Sequence, residues 1–238
     1  IWREQDSKRY VAPFGYPGFL AAMHGLVLGD AVPADRVGAV ATPGGTGAVR
    51  QVFEMIRHLS PEATIWLSAP TWPNHTEIAR YLGLNLRAYR YYDAATGGLD
   101  RDGMMADLAG AQPGDVILLH ACCHNPTGVD LNSDDWRAVG KICQYTGAIP
   151  FVDAAYLGFG EGLEEDAAGL RMLTGMGPEM RGHRDGGDAG RRASRGGGRA
   201  AGLAQSSELY FSARSRRARG ADRFGRCRAE RYVAQRIA

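Results

Sequence analysis

Apolar positions along the chain switch repeatedly between two rhythms. Spacings of three and four, which line one face of a helix, alternate with short unbroken apolar runs, which suit strands buried on both faces. Pro17-Gly18 opens FLAAMHGLVLG, a helix ending near Gly29. Val37 to Ala41 is a short apolar run that leads through Thr42-Pro43-Gly44-Gly45-Thr46-Gly47 into AVRQVFEMIRHL, an amphipathic helix. ATIWLSAP (63–70) reads as a strand stopping at Pro-Thr-Trp-Pro-Asn-His (70–75), EIARYLGL as a helix and LRAYRYYD as an alternating strand. DGMMADLAGA is the next helix, and Gln112-Pro113-Gly114 turns into the apolar run VILLHACC. Asn132-Ser133 caps DDWRAVGKICQYTG, with Asp134 and Asp135 favourably placed in its first turn. IPFVDAAY follows as a strand. This alternation with short loops predicts an α/β fold, a mostly parallel sheet flanked by helices.

Two of the buried runs stop at polar residues. VILLHACC ends in His124, Asn125, Pro126, Thr127 and Gly128, and IPFVDAAY brings Asp153 and Tyr156 to its end. Ligands of open α/β sheets sit outside the carboxyl ends of the strands, so these residues mark a candidate site. Asp153 ends an otherwise apolar strand, where a carboxylate is costly unless paired or hydrogen bonded. It reads either as an anionic partner for a protonated pyridine nitrogen or as a helix cap or structural ion pair. Tyr156 is a hydrogen-bond donor to a cofactor phenolic oxygen or a core residue. Asn125 is a second partner for that oxygen or a turn former. Trp72 is an indole able to stack on a pyridine ring or a core residue. The glycine-rich turn at 42–47 opens a helix whose N-terminus suits a phosphate, and it reads equally as a tight turn.

His120, Cys122, Cys123 and His124 are too compressed for a usual zinc site, and no second pair of ligands follows at a suitable distance. No metal is expected. Residues 120 and 122 are expected to face one side of their strand. GFGEG (158–162) lacks the spacing of a dinucleotide fingerprint.

The motifs GGTGAVR (44–50), PTWPNH (70–75), LLHACCHNPTGVDL (118–131) and PFVDAAYLGFGEGLEEDAAGLR (150–171) occur in an order and spacing that resembles the class I aspartate and aromatic amino acid aminotransferases. The paired cysteines and GFGEGLEEDA lean towards the bacterial aromatic branch. The resemblance spans residues 3 to 171 and implies an incomplete large domain of pyridoxal-phosphate fold type I. It implies a transferase of amino acid metabolism and biosynthesis that moves an amino group from an amino acid to a 2-oxo acid. It also implies pyridoxal 5′-phosphate as cofactor. Gly45 and Thr46 would hold its phosphate, Trp72 would stack on its ring, and Asn125 and Tyr156 would bond its phenolic oxygen. Asp153 would pair with its ring nitrogen, supported by His75 and His120. Tyr10 resembles the tyrosine that reaches the phosphate from a second subunit, which implies a homodimer. Leu157 departs from the glutamine usual after this tyrosine.

The family's Schiff-base lysine is expected some tens of residues after the aspartate, yet the lysines here are Lys8 and Lys141. No catalytic residue is therefore assigned, and the chain is expected to be an inactive fragment, the substrate-carboxylate arginine belonging to a later small domain. Residues 1–175 are read as a partial cofactor-binding large domain and 176–238 as a Gly/Arg-rich tail.

Charge sharpens that boundary. Residues 1–180 carry 13 Lys+Arg against 21 Asp+Glu, net −8, whereas 181–238 carry 15 Arg against 5 acids, net +10. The tail is expected to be disordered or out of frame. Codons allowed from Ser212 onward, read one nucleotide later, spell a run beginning PPDHGAR that resembles the family's downstream segment. The alternative is an α/β binding domain whose Arg-rich tail grips nucleic acid, although no aromatic interleaving accompanies the arginines. The N-terminal IWREQDSKRY has no apolar signal-peptide core, and no apolar run reaches the roughly 18 residues of a membrane span, so no membrane partner is expected. Four cysteines without disulfide-like spacing suit a reducing, cytoplasmic compartment.

Overall fold

The structure is a computed structural model that describes residue 10, residues 12–176 and the backbone of 201–204 and 209–213. The elements are α1 (Pro17–Leu28), β1 (Val37–Val40), α2 (Gly44–Leu59), β2 (Thr64–Ala69), α3 (Pro73–Tyr81) and β3 (Asn85–Arg90). A hairpin of β4 (Tyr92–Asp93) and β5 (Gly98–Leu99) precedes α4 (Arg101–Leu108), β6 (Val116–His120), α5 (Ser133–Thr146), β7 (Ile149–Ala154) and α6 (Leu163–Met176). Two further strands are β8 (Ala201–Ala204) and β9 (Leu209–Ala213).

The expected mostly parallel sheet forms. Its seven strands run β1-β9-β8-β7-β6-β2-β3. Pairs β3–β2, β2–β6, β6–β7 and β7–β8 are parallel, and β9 is antiparallel to both β8 and β1. Alternation along each central strand sorts side chains between two cores. Ile65, Leu67, Val116, Leu118 and Phe151 meet Val49, Val52, Phe53 and Ile56 of α2 and Ala79 of α3. Trp66, Ile117, Leu119 and Val152 meet Leu108 of α4, Trp136 and Val139 of α5, and Leu170 and Leu173 of α6. Both faces of β6 are buried, which explains its unbroken apolar run.

Local signals fix the helix ends. Asn132 caps α5 through bonds from the backbone N–H of Asp134 and Asp135, while the Asp135 carboxylate accepts from Asn132 N–H, and Gly147 closes the helix at φ 78°. Asp135 is buried and paired with Arg101, so its role extends past the helix end. Helix α3 begins at Pro73, earlier than the apolar spacing of EIARYLGL suggests, because proline fits the first turn of a helix. That early start puts His75 on the helix.

The hairpin β4–β5 and helix α6 were not visible as apolar rhythms. Segments 201–204 and 209–213, within the stretch read as a tail, lie in the sheet. Helix α6 ends at Met176, beside the expected boundary, and the rest of 177–238 lies outside the described residues, together with the expectation of disorder or a frame shift.

Asp115 ties three segments together just before β6. Its carboxylate accepts from the backbone N–H of Thr64 and Gln112 and from the Trp66 indole N–H, each at 2.9 Å. Asp115→Ala leaves these donors without a partner and is expected to destabilise the fold by about 3 kcal/mol. A urea midpoint unchanged from the parent chain would contradict this.

Candidate active site

The site forms where β2, β6 and β7 end, on the face covered by α2 and α3. His120 and Asp153 are direct register partners at the ends of β6 and β7. They share the parity of Leu118 and Phe151, so both point towards α3. Asp153 is buried, and two donors hold it. The Ala155 backbone N–H reaches Oδ1 at 3.1 Å, and His75 Nε2 reaches Oδ2 at 3.0 Å. Among the described residues, His75 is the ion-pair partner of Asp153.

Acceptor chemistry sets the direction of the next bonds. A carboxylate only accepts, so His75 donates from Nε2. His75 Nδ1 lies 3.0 Å from Thr71 Oγ1, which in turn lies 3.5 Å from His120 Nε2. A polar chain thus links His120, Thr71, His75 and Asp153. Burial, then the neighbouring His124 and His75, lower the His120 pKa to about 3 against a smaller opposing pull from Asp153. Burial likewise lowers His124 to about 4.

His124 is held on every side. Its Nε2 is 2.9 Å from Ser68 Oγ and its Nδ1 is 2.8 Å from Thr127 Oγ1. The Tyr91 ring stacks on it at 4.0 Å with planes 16° apart, and the Tyr91 hydroxyl donates to the Val129 carbonyl at 2.6 Å. The Asp130 carboxylate accepts from the backbone N–H of Cys123 and His124. These bonds fix the segment that carries Asn125. The Asn125 amide then donates to the Tyr156 hydroxyl at 3.4 Å.

The structure brings together most of the residues singled out in the sequence. Asp153, His75 and His120 form one cluster, and Trp72 sets its indole edge-on to His75 with ring centroids 5.1 Å apart. Asn125 and Tyr156 form the adjoining pair. Gly45 and Thr46 stand in the first turn of α2, the first buried and the second exposed, on the same side of the sheet as α3. Tyr10 is fully exposed. Leu157 packs against the apolar core, so leucine suits its surroundings.

One sequence expectation needs correction. Cys122 does not continue the strand with His120, because β6 ends at His120 and the chain bends there. Ser68, Thr71, Tyr91 and Asp166 were missed. Ser68 and Thr71 sit at the end of β2, a position that would have marked them once β2 was placed beside β6.

Residues 3–182 match the family model for aminotransferase class I and II. The aromatic-amino-acid aminotransferase of Paracoccus denitrificans is 48% identical over 176 residues, covering 74% of this chain and 45% of that protein. A solved aromatic amino acid aminotransferase with 3-indolepropionic acid superposes with a TM-score of 0.79 at 38% identity, covering 89% of this chain and 52% of that one. The aromatic-amino-acid aminotransferase of Burkholderia pseudomallei, covalently bound to pyridoxal phosphate, gives 0.78 at 29% identity, covering 99% of this chain and 54% of that one. The chain thus spans about half the length of the relatives it matches, and the family model covers most of it: it belongs to the class I and II aminotransferases.

Proposed function

We propose that this site binds pyridoxal 5′-phosphate and that the chain is part of an aminotransferase acting on aromatic or dicarboxylic amino acids and 2-oxo acids. The observation that carries the reading is the buried Asp153 carboxylate. Its one ion-pair partner among the described residues is His75, and each of its oxygens, with one donor recorded, keeps a lone pair for a ring N–H. The remaining donor set fits the same group. Trp72 offers a flat apolar face, and Asn125 and Tyr156 offer an amide and a phenol for an anionic ring oxygen. The first turn of α2 offers Gly45 backbone N–H and the Thr46 hydroxyl, with no acidic residue in that turn to repel a phosphate.

When bound, the cofactor supplies an electron sink for moving the amino group. The chain's residues orient it. Asp153 would hold the ring N–H, and His75 keeps the Asp153 carboxylate aimed. With His120 and His124 neutral, neither ring would add a positive charge beside that nitrogen. Asn125 and Tyr156 would hold the phenolic oxygen. We further propose that Tyr10 reaches the phosphate of a second copy in a homodimer, and that the protein works in the cytoplasm.

Lys141 stands exposed on α5, away from this cluster, and no lysine follows it. The amine that anchors the cofactor and shuttles the proton is thus missing from the sequence after Asp153. We propose that the chain holds the cofactor without a covalent bond and does not turn over.

Titration with pyridoxal phosphate, followed by absorbance, is expected to show saturable binding that Asp153→Ala weakens by about tenfold or more. Borohydride is expected to trap no stoichiometric lysine adduct. Equal affinity in parent and variant, or a trapped adduct at one lysine, would contradict the reading.

The buried imidazoles make a second prediction. Their folded pKa values, about 3 and about 4, lie below the ordinary 6.5. Unfolded rings therefore take up protons first, so this contribution to stability is complete above about pH 6.5 and fades as pH falls towards 4 and then 3. Histidine ring NMR signals of His120 and His124 are expected to stay at their neutral positions at pH 5. Midpoints near 6.5 would refute it.

A further inference from the structure

The GFGEG loop plays no part in the site described above, yet its glycines are packed too tightly to be filler. A side chain at Gly160 would meet Asp166 Oδ1 at 2.6 Å. Gly158 adopts a φ of +89°, and a side chain there would meet Leu163 at 2.7 Å. The loop is wrapped around one carboxylate. Asp166, buried in the first turn of α6, accepts from the backbone N–H of Gly158 at 2.8 Å, Gly160 at 3.0 Å and Glu161 at 2.9 Å. Burial alone would raise its pKa, but these backbone bonds bring it below the ordinary carboxylate value.

The loop that Asp166 holds carries one member of the polar pair of the site. Gly158 lies two residues after Tyr156. We infer that Asp166 is a positioning residue, which sets Tyr156 against Asn125 by holding the loop that follows Tyr156. What the pair then grips rests on the function proposed above. The hold on the loop does not.

Amide exchange on the full chain tests the hold without ligand. Asp166→Asn keeps the shape but gives up an acceptor and the charge. Exchange across residues 156–162 is expected to speed up by about tenfold, with β2 unchanged, which separates local release from general loosening. Unchanged exchange in 156–162 of Asp166→Asn overturns the inference. If that variant does not fold, Gly160→Ala, which sets a side chain against Asp166 Oδ1, is expected to speed exchange in the same loop, and unchanged exchange there overturns it instead.

Pyridoxal phosphate then tests transmission. Asp166→Asn is expected to weaken binding about tenfold in the parent and to add nothing when Tyr156→Phe is already present. Full additivity of the two changes overturns the positioning role. Should Tyr156→Phe by itself leave binding unchanged, the proposed function fails at that residue, and the exchange result still decides whether Asp166 holds the loop.

Discussion

A carboxylate at the end of a buried strand has to be satisfied, and the arrangement of this fold follows from how Asp153 is satisfied. Water cannot reach it freely, so protein donors must replace it. The Ala155 backbone N–H supplies one donor from the turn after β7, and His75 supplies the other from a different helix. The second requirement is demanding. It needs α3 to begin at Pro73 so that His75 sits in its first turn, and it needs β6 beside β7 in the register that sets His120 opposite Asp153. Thr71 closes the gap between the two imidazoles.

The same device recurs elsewhere in the fold. Asp115, Asp130 and Asp166 each collect two or more backbone N–H groups that loops would otherwise leave unpaired. A carboxylate with two oxygens can hold two or three such donors, which makes it a compact fastener for loops that must pack closely. Asp153 has fewer backbone donors than Asp166. The arginine pairs on the surface, such as Arg90 with Asp107, are solvent-exposed and contribute little by comparison.

Much of this was legible in the sequence because parallel strands announce themselves. The run ILLH, buried at every position, and IPFVD, closing on an acid, located the sheet's centre and the end where a ligand would sit. Asn125 and Tyr156 could be named from their place just past those strands. Ser68, Thr71 and Tyr91 could not, since their relevance depends on β2 and the β3–β4 turn lying beside β6, and nothing local in the sequence states that neighbourhood. Helix α6 was hidden because alanine and glycine carry much of its inner face. Strands β8 and β9 fall in a stretch whose arginines and glycines mask any alternation, so their place in the sheet came from pairing alone.

The function proposed above turns on one electrostatic match, the fixed negative charge of Asp153 facing a ring nitrogen. The most direct test is nitrogen NMR of pyridoxal phosphate labelled at the ring nitrogen and bound to the full chain at neutral pH. A protonated ring nitrogen with the parent chain, and an unprotonated one with Asp153→Asn, is the predicted result. The same nitrogen signal in both proteins would contradict the assignment of Asp153.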